Sequence, residues 1–372
     1  MIKNKKIFFL SFIFLAIFLY DFENGITDYL FLILSGFLFI TAFIIPKNIS
    51  DYIFIVVSVS YIFLLTYTIY WSPVINKYSN YYMDDEILGY KLMPNVNTTF
   101  DDRIRKGVYK TNSLGYRDDE FISNGNNNIV LLGDSSTFGE LVDQQNNLDK
   151  QIEQLCGDIN AHNLGVGGYG FPGIINTYKK YNLEHTHAIY FFHMNDLRSD
   201  NFTVHEDTFT RDGYLISDGT EKTEQEIENR IEKIKKGKIF NPFKLRYFFL
   251  ILKNYLATIG LINLDHEVDY FPYGGYSDDL TIKGVNLTSE LKEIVNSNKA
   301  DFTVVIVPSL RSINGQKYTK HVQKYIDNII SNGIRVIDPL KDLDQRDYIS
   351  YDGHWKESGM KKVAIKVCKL II

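Results

Sequence analysis

The sequence has no block of basic residues. Its 40 Lys and Arg are outnumbered by 45 Asp and Glu, giving a net charge of −5. Nucleic-acid binding needs a basic stripe or patch, so nucleic acid is not an expected partner. Cysteine is nearly absent: Cys156 and Cys368 are the only two, and they fit no metal spacing. His185, His187 and His193 lie close together, but no acidic or cysteine partner stands at ligand spacing from them. No metal or other cofactor is therefore expected. A Gly-x-Ser-x-Gly motif is also missing, which argues against a nucleophile-elbow α/β-hydrolase. No small-x-small cleavage site follows the first apolar run, which argues against a removed signal peptide.

What the chain does have is an apolar amino-terminal fifth. Ile7–Tyr20 is apolar except for Ser11 and follows Lys3, Lys5 and Lys6; Tyr29–Ile45 and Tyr52–Trp71 are further apolar runs. A ~30 Å hydrocarbon core needs roughly 20 helical residues, so the runs are read as three spanning helices within a membrane anchor over residues 1–72. The aromatic content of 15% is read mainly as these spans and a compositional bias, rather than as sugar-binding platforms. The amino terminus carries three lysines, the loop Asp21–Asp28 is acidic, and the loop Pro46–Asp51 carries Lys47. The positive-inside rule then puts the amino terminus in the cytoplasm and everything after Trp71 outside it. The expected localisation is a multi-pass cell-membrane protein with an extracytoplasmic catalytic domain.

Residues 73–127 read as a polar linker and approach segment with Gly and Asn turns and short strands near Val108-Tyr109. Strand and helix signals then alternate. Strands are expected at Asn128–Leu132, Ile159–Leu164, Ala188–Phe192, Phe302–Val307 and Arg335–Ile337. Helices are expected at Asn147–Cys156, Gly173–Leu183, Tyr318–Ile330 and Glu357–Ile371. This alternation indicates an α/β fold with a parallel sheet between helical layers. An insertion is expected at about 197–299. It contains a charged helix Glu224–Lys236, capped by Thr223 with Glu226, and an apolar stretch Phe243–Ile262 suited to a buried helix, a lid or an interfacial helix.

Polar clusters follow successive strands: Gly133-Asp134-Ser135, the glycine turn ending at Gly168, Asn195-Asp196, and Asp352 with His354. In a parallel sheet all of these carboxyl ends lie along one edge, where such sheets bind ligands. Roles follow from the chemistry. Ser135 is the candidate nucleophile, His354 the general base and Asp352 the group that orients its ring. Oxyanion donors would be the backbone N–H groups of Ser135 and Gly168 and the side-chain amide of Asn195. Ser135 taken alone reads sooner as a helix N-cap than as a nucleophile, and Ser136 is an alternative nucleophile; the ordered set of clusters favours Ser135 as the nucleophile.

These blocks resemble the SGNH (GDSL-type) hydrolase superfamily. Gly133-Asp134-Ser135 matches its first block, Asn163-Leu164-Gly165-Val166-Gly167-Gly168 resembles the second, Asn195-Asp196 matches the third, and Asp352 and His354 resemble the last. The stretches Asn112–Asp118 and Thr137-Phe138-Gly139 resemble a membrane-anchored or exported branch of it. The resemblance covers roughly Asn128–Ile372 and implies a flavodoxin-like sheet of order 2-1-3-4-5, with ester hydrolysis or acyl transfer that needs no metal. In that fold the first and last helices pack side by side, so Cys156 and Cys368 could pair as a disulfide outside the cytoplasm. Two departures stand out: His193 replaces the usual glycine of the third block, and one residue rather than two separates Asp352 from His354.

The expected function is extracytoplasmic removal of O-acyl groups, O-acetyl above all, from a cell-envelope glycan through an acyl-enzyme. The alternatives are an O-acyltransferase working with a membrane-bound acyl-donor partner, and an inactive glycan-binding or assembly module. Expected partners are an acylated glycan or another ester, and the membrane.

Overall fold

The computed structural model describes residues 80–101, 105–122, 127–198, 202, 208–217, 223–235, 276–349 and 352–371. All of them belong to one compact unit of the chain. The three expected spans and the 243–262 stretch lie outside the described residues. Among those described, no helix is long and apolar enough to cross a membrane.

Two antiparallel hairpins come first, β1 (Tyr82–Asp85) with β2 (Gly89–Leu92) and β3 (Asn97–Asp101) with β4 (Lys106–Lys110). Strand β5 (Asn128–Gly133) runs into the one-turn helix α1 (Ser135–Phe138), followed by α2 (Leu148–Cys156) and β6 (Asn160–Asn163). Helix α3 (Phe171–Lys180) leads to β7 (His187–His193). A third hairpin, β8 (Thr208–Arg211) with β9 (Tyr214–Ser217), precedes α4 (Glu224–Lys235). Helix α5 (Asp278–Ser297) then leads to β10 (Asp301–Val307), α6 (Leu310–Gly315), α7 (Lys320–Ser331), β11 (Arg335–Ile337) and α8 (Glu357–Ile371).

The main sheet has five parallel strands in the order β6-β5-β7-β10-β11. Counted along the chain this is 2-1-3-4-5, the flavodoxin-like order expected. Its strands alternate strictly between two cores, as a period of two requires. Val130, Leu132, Tyr190, Phe192, Val304 and Ile306 face one core, which is closed by α3, α5 and α7. Ile129, Leu131, Ile189, Phe191, Val305 and Val307 face the other, closed by α2 and α8. Both faces are covered, which is why the strands read as continuous apolar runs.

Two expected boundaries move. The approach segment is more than a linker: Tyr81, Tyr82, Tyr90, Leu92, Phe100 and Tyr109 are buried in the first core, where Tyr81 and Tyr109 pack on Phe138. Aromatic side chains bury large apolar areas, and this outweighs the turn-rich local sequence. The expected insertion at 197–299 also ends too late. Helix α5 lies within it, yet it is the crossover helix between β7 and β10, burying Val285, Leu291 and Val295. The Thr223 cap of α4 forms as expected, with Thr223 N–H donating to Glu226 Oε2 at 2.9 Å.

Helices α2 and α8 pack side by side, and a disulfide joins Cys156 to Cys368 with Cα atoms 5.3 Å apart. It links residues 212 positions apart in sequence, so it constrains most of the unfolded domain. Replacing both cysteines with serine is expected to lower unfolding stability by roughly 3–5 kcal/mol. Urea unfolding with and without reductant measures this, and coincident curves would contradict it.

Candidate active site

Strand β5 ends at Gly133, and the chain turns directly into α1 with Ser135 as its first residue. Asp134 is the N-cap: its Oδ1 accepts from Ser136 N–H at 2.9 Å. The first N–H groups of a helix lack intrahelical acceptors, so the Ser135 N–H stands at an open helix start beside its own hydroxyl. That hydroxyl lies 2.8 Å from His354 Nε2. On the other side of the ring, His354 Nδ1 hydrogen-bonds Asp352 Oδ1. A carboxylate can only accept, so Nδ1 carries the proton and Nε2 presents a lone pair to Ser135 once the ring is neutral.

The short Asp352–His354 spacing is sterically sufficient. Residues two apart can face the same side, and Gly353 between them adopts φ +93°, a left-handed conformation that favours glycine. Electrostatics strengthen the pair. Burial disfavours charge on His354, but Asp352, its hydrogen bond, Glu140 and Asp134 more than offset this and push the imidazole up to about 9. Burial alone would raise the Asp352 carboxyl; the charge and hydrogen bonds of His354 bring it below its ordinary value.

The third block closes on the first. Asn195 Nδ2 donates to Asp134 Oδ2 at 2.9 Å, and His193 Nδ1 lies 2.7 Å from Asn195 Oδ1. The Asp134 contact fixes which end of the amide is nitrogen, so at 2.7 Å His193 Nδ1 is the donor to Asn195 Oδ1, and the longer 3.4 Å approach of Asn195 N–H to Nδ1 is not a hydrogen bond in that tautomer. Asp196 sets the turn itself, its Oδ2 accepting from His193 N–H at 3.0 Å and Tyr190 Oη at 2.8 Å. Burial, with Asp134 nearby, raises the Asp196 carboxyl well above its usual range. Asn195 and Ser135 are thus brought together through Asp134.

The second block approaches from β6. Asn163 Nδ2 donates to Thr137 O at 2.9 Å, and Gly165 N–H donates to Asn163 Oδ1 at 2.9 Å. A Cβ at Gly165 would lie 2.5 Å from Phe138 N, so only glycine permits this contact between the loop and α1. At Gly167 a Cβ would lie 3.9 Å from Ser135 Cβ, which brings the expected glycine turn against Ser135. Gly168 adopts φ +82°. The Gly167 carbonyl accepts from Tyr90 Oη at 2.9 Å. In a trans peptide the following N–H points the opposite way, so Tyr90 sets the direction of the Gly168 N–H.

Tyr90, Asp134, Glu140 and Arg117 were not among the expected site residues. Arg117 is fully buried. Its Nη1 donates to Phe138 O at 2.7 Å and Gly139 O at 2.6 Å, its Nη2 donates to Val142 O, and its guanidinium lies 4.1 Å from the Tyr109 ring centre. It ties off the carbonyls at the end of α1 and holds the turn that carries Glu140. Tyr109 holds the same turn, accepting from Leu141 N–H at 2.8 Å. Arg117→Met would remove the guanidinium donors from all three carbonyls, leaving Phe138 O with only Asn147 Nδ2 and Gly139 O with only Val142 N–H, and is expected to cost roughly 3–5 kcal/mol of stability. Urea unfolding checks it; a loss within about 0.5 kcal/mol, as for an ordinary surface change, would contradict the anchoring role.

No family model matches the chain, and no curated protein matches it. It is similar to solved structures. One is a member of the lipolytic protein G-D-S-L family from Veillonella parvula, 14% identical, covering 65% of this chain and 97% of that one with a TM-score of 0.34. Another is an acetyl xylan esterase from the rumen bacterium Butyrivibrio proteoclasticus, 12% identical, covering 72% of this chain and 68% of that one with a TM-score of 0.34.

Proposed function

We propose that the protein is a serine esterase, held at the membrane by its amino-terminal segments and facing out of the cytoplasm, that removes O-acyl groups, chiefly O-acetyl, from a cell-envelope glycan. One observation carries the chemistry: Asp352, His354 and Ser135 form a continuous hydrogen-bonded relay ending 2.8 Å from the serine oxygen.

Ser135 Oγ attacks the ester carbonyl carbon as its proton passes to His354 Nε2. The carbonyl oxygen becomes an oxyanion, stabilised by the N–H groups of Ser135 and Gly168 and the Asn195 amide. Collapse breaks the carbon–oxygen bond to the alcohol, and His354 gives its proton to the departing oxygen. Water then attacks the acyl-enzyme while His354 takes one of its protons. The carboxylic acid leaves and the proton returns to Ser135. Throughout, Asp352 holds the ring and stabilises its charged form.

The location rests on the three apolar runs and their flanking lysines. The Cys156–Cys368 disulfide supports it, because disulfides persist mainly in oxidising compartments. The glycan substrate rests on that location. The test is acetate release by the full-length protein in detergent from O-acetylated envelope polysaccharide. Release that the Ser135→Ala variant lacks supports the reading; hydrolysis of small acetate esters without release from polysaccharide would sink the glycan assignment.

A further inference from the structure

His193 stands where the resembling family has glycine, and the relay described above does not use it. It is the last residue of β7, at the carboxyl edge where the site is assembled. Its Nδ1–H is committed to Asn195 Oδ1 at 2.7 Å. A neutral imidazole carries one N–H, so Nε2 is left as a lone-pair acceptor. Burial lowers the imidazole's affinity for a second proton, against an opposing pull from Asp134. Nε2 has no hydrogen-bond partner among the described residues, and it is not among the polar atoms sealed from solvent. Through Asn195 the ring is linked to Asp134, the residue before Ser135. An acceptor open to solvent therefore stands at the sheet edge that carries the site, one hydrogen-bonded residue away from Asp134.

An accessible acceptor at a binding site selects for a donor. The acyl part of a simple ester offers none: its carbonyl oxygen only accepts, and an acetyl methyl does neither. A donor must come from the alcohol part, as a hydroxyl close to the esterified oxygen. We propose that His193 is a specificity-determining residue whose Nε2 accepts a hydrogen bond from such a hydroxyl, so that the site favours partially acylated polyols, with a free hydroxyl beside the ester, over esters of simple alcohols. This deepens the esterase reading and rests on it.

The test uses full-length protein in detergent and two acetate esters of equal size, 2-hydroxyethyl acetate and propyl acetate, which differ by a hydroxyl in place of a methyl. The wild-type protein is expected to prefer the hydroxyl-bearing ester in kcat/KM by roughly tenfold more than hydroxide ion does. His193→Asn keeps a nitrogen donor near the Nδ1 position but has nothing at Nε2; this ratio should collapse to that of hydroxide. His193→Gln places an oxygen acceptor near Nε2 and loses the Nδ1 donor to Asn195; both rates should fall together with the ratio retained. A wild-type ratio equal to that of hydroxide, or a ratio unchanged in His193→Asn, would overturn the inference while leaving the esterase reading intact. Hydrolysis of neither ester by the wild-type protein would overturn both.

Discussion

Ser135→Ala is expected to slow hydrolysis of an activated acetyl ester by on the order of 10⁴-fold or more, with little change in stability. The hydroxyl's hydrogen bond is to His354, and α1 is capped by Asp134, whose side chain is untouched by the change. The residual rate would reflect binding and the oxyanion donors alone. Ser136→Ala serves as the contrast. Ser136 is buried within the helix start and its N–H is held by Asp134 Oδ1, whereas the His354 ring reaches Ser135. Ser136→Ala is therefore expected to retain most of the activity. The measurement is the steady-state rate on 4-nitrophenyl acetate together with thermal unfolding of each variant. Loss of activity in Ser136→Ala with survival in Ser135→Ala would move the nucleophile one residue along.

The second large effect is on pH dependence. His354 must be neutral to accept the Ser135 proton, and its surroundings push it up to about 9. Below that pH the ring is mainly protonated, so kcat/KM should climb with pH and level off only above it. With that value only about one ring in a hundred is neutral at pH 7, and the rate should rise roughly fiftyfold between about pH 7 and pH 9. Asp352→Asn removes the main raising influence. The rise should then centre nearer the ordinary histidine value of about 6.5, while the plateau falls by roughly 10²–10⁴-fold because the ring loses its orientation and the stabilisation of its charge. Glu140→Gln should move the rise in the same direction by less. A profile already flat at neutral pH, unchanged in Asp352→Asn, would contradict the coupling between the three groups.

Much of this was legible along the chain because it is local. The Ile129–Leu132 run broken by Gly133, and the polar residues that follow β5, β7 and the segment after β11, mark strand ends directly. The disulfide could be anticipated only through the fold, because it depends on α2 lying beside α8. The supporting residues were hidden for a related reason. Tyr90 reaches Gly167 across 77 positions, and Arg117 reaches Phe138 across 21; nothing near either residue announces its target. The approach segment looked like a linker because its turns are local features, whereas its buried tyrosines find their partners only in the folded core. Helix α5 was absorbed into the insertion because the hairpin β8–β9 and helix α4 interrupt the strand–helix rhythm before it. The short spacing between Asp352 and His354 reads along the chain only as a departure; the left-handed conformation at Gly353 is what lets the two side chains meet.

Everything proposed for the chemistry depends on Ser135 being a nucleophile activated by His354. Labelling with a fluorophosphonate tests it most directly, with the adduct located by peptide mass spectrometry in the wild-type protein and in His354→Gln. One adduct per chain is expected, on Ser135, forming faster as pH rises towards 9 and lost or greatly slowed in the variant. An adduct on another residue, or labelling of Ser135 at the same rate without His354, would contradict it.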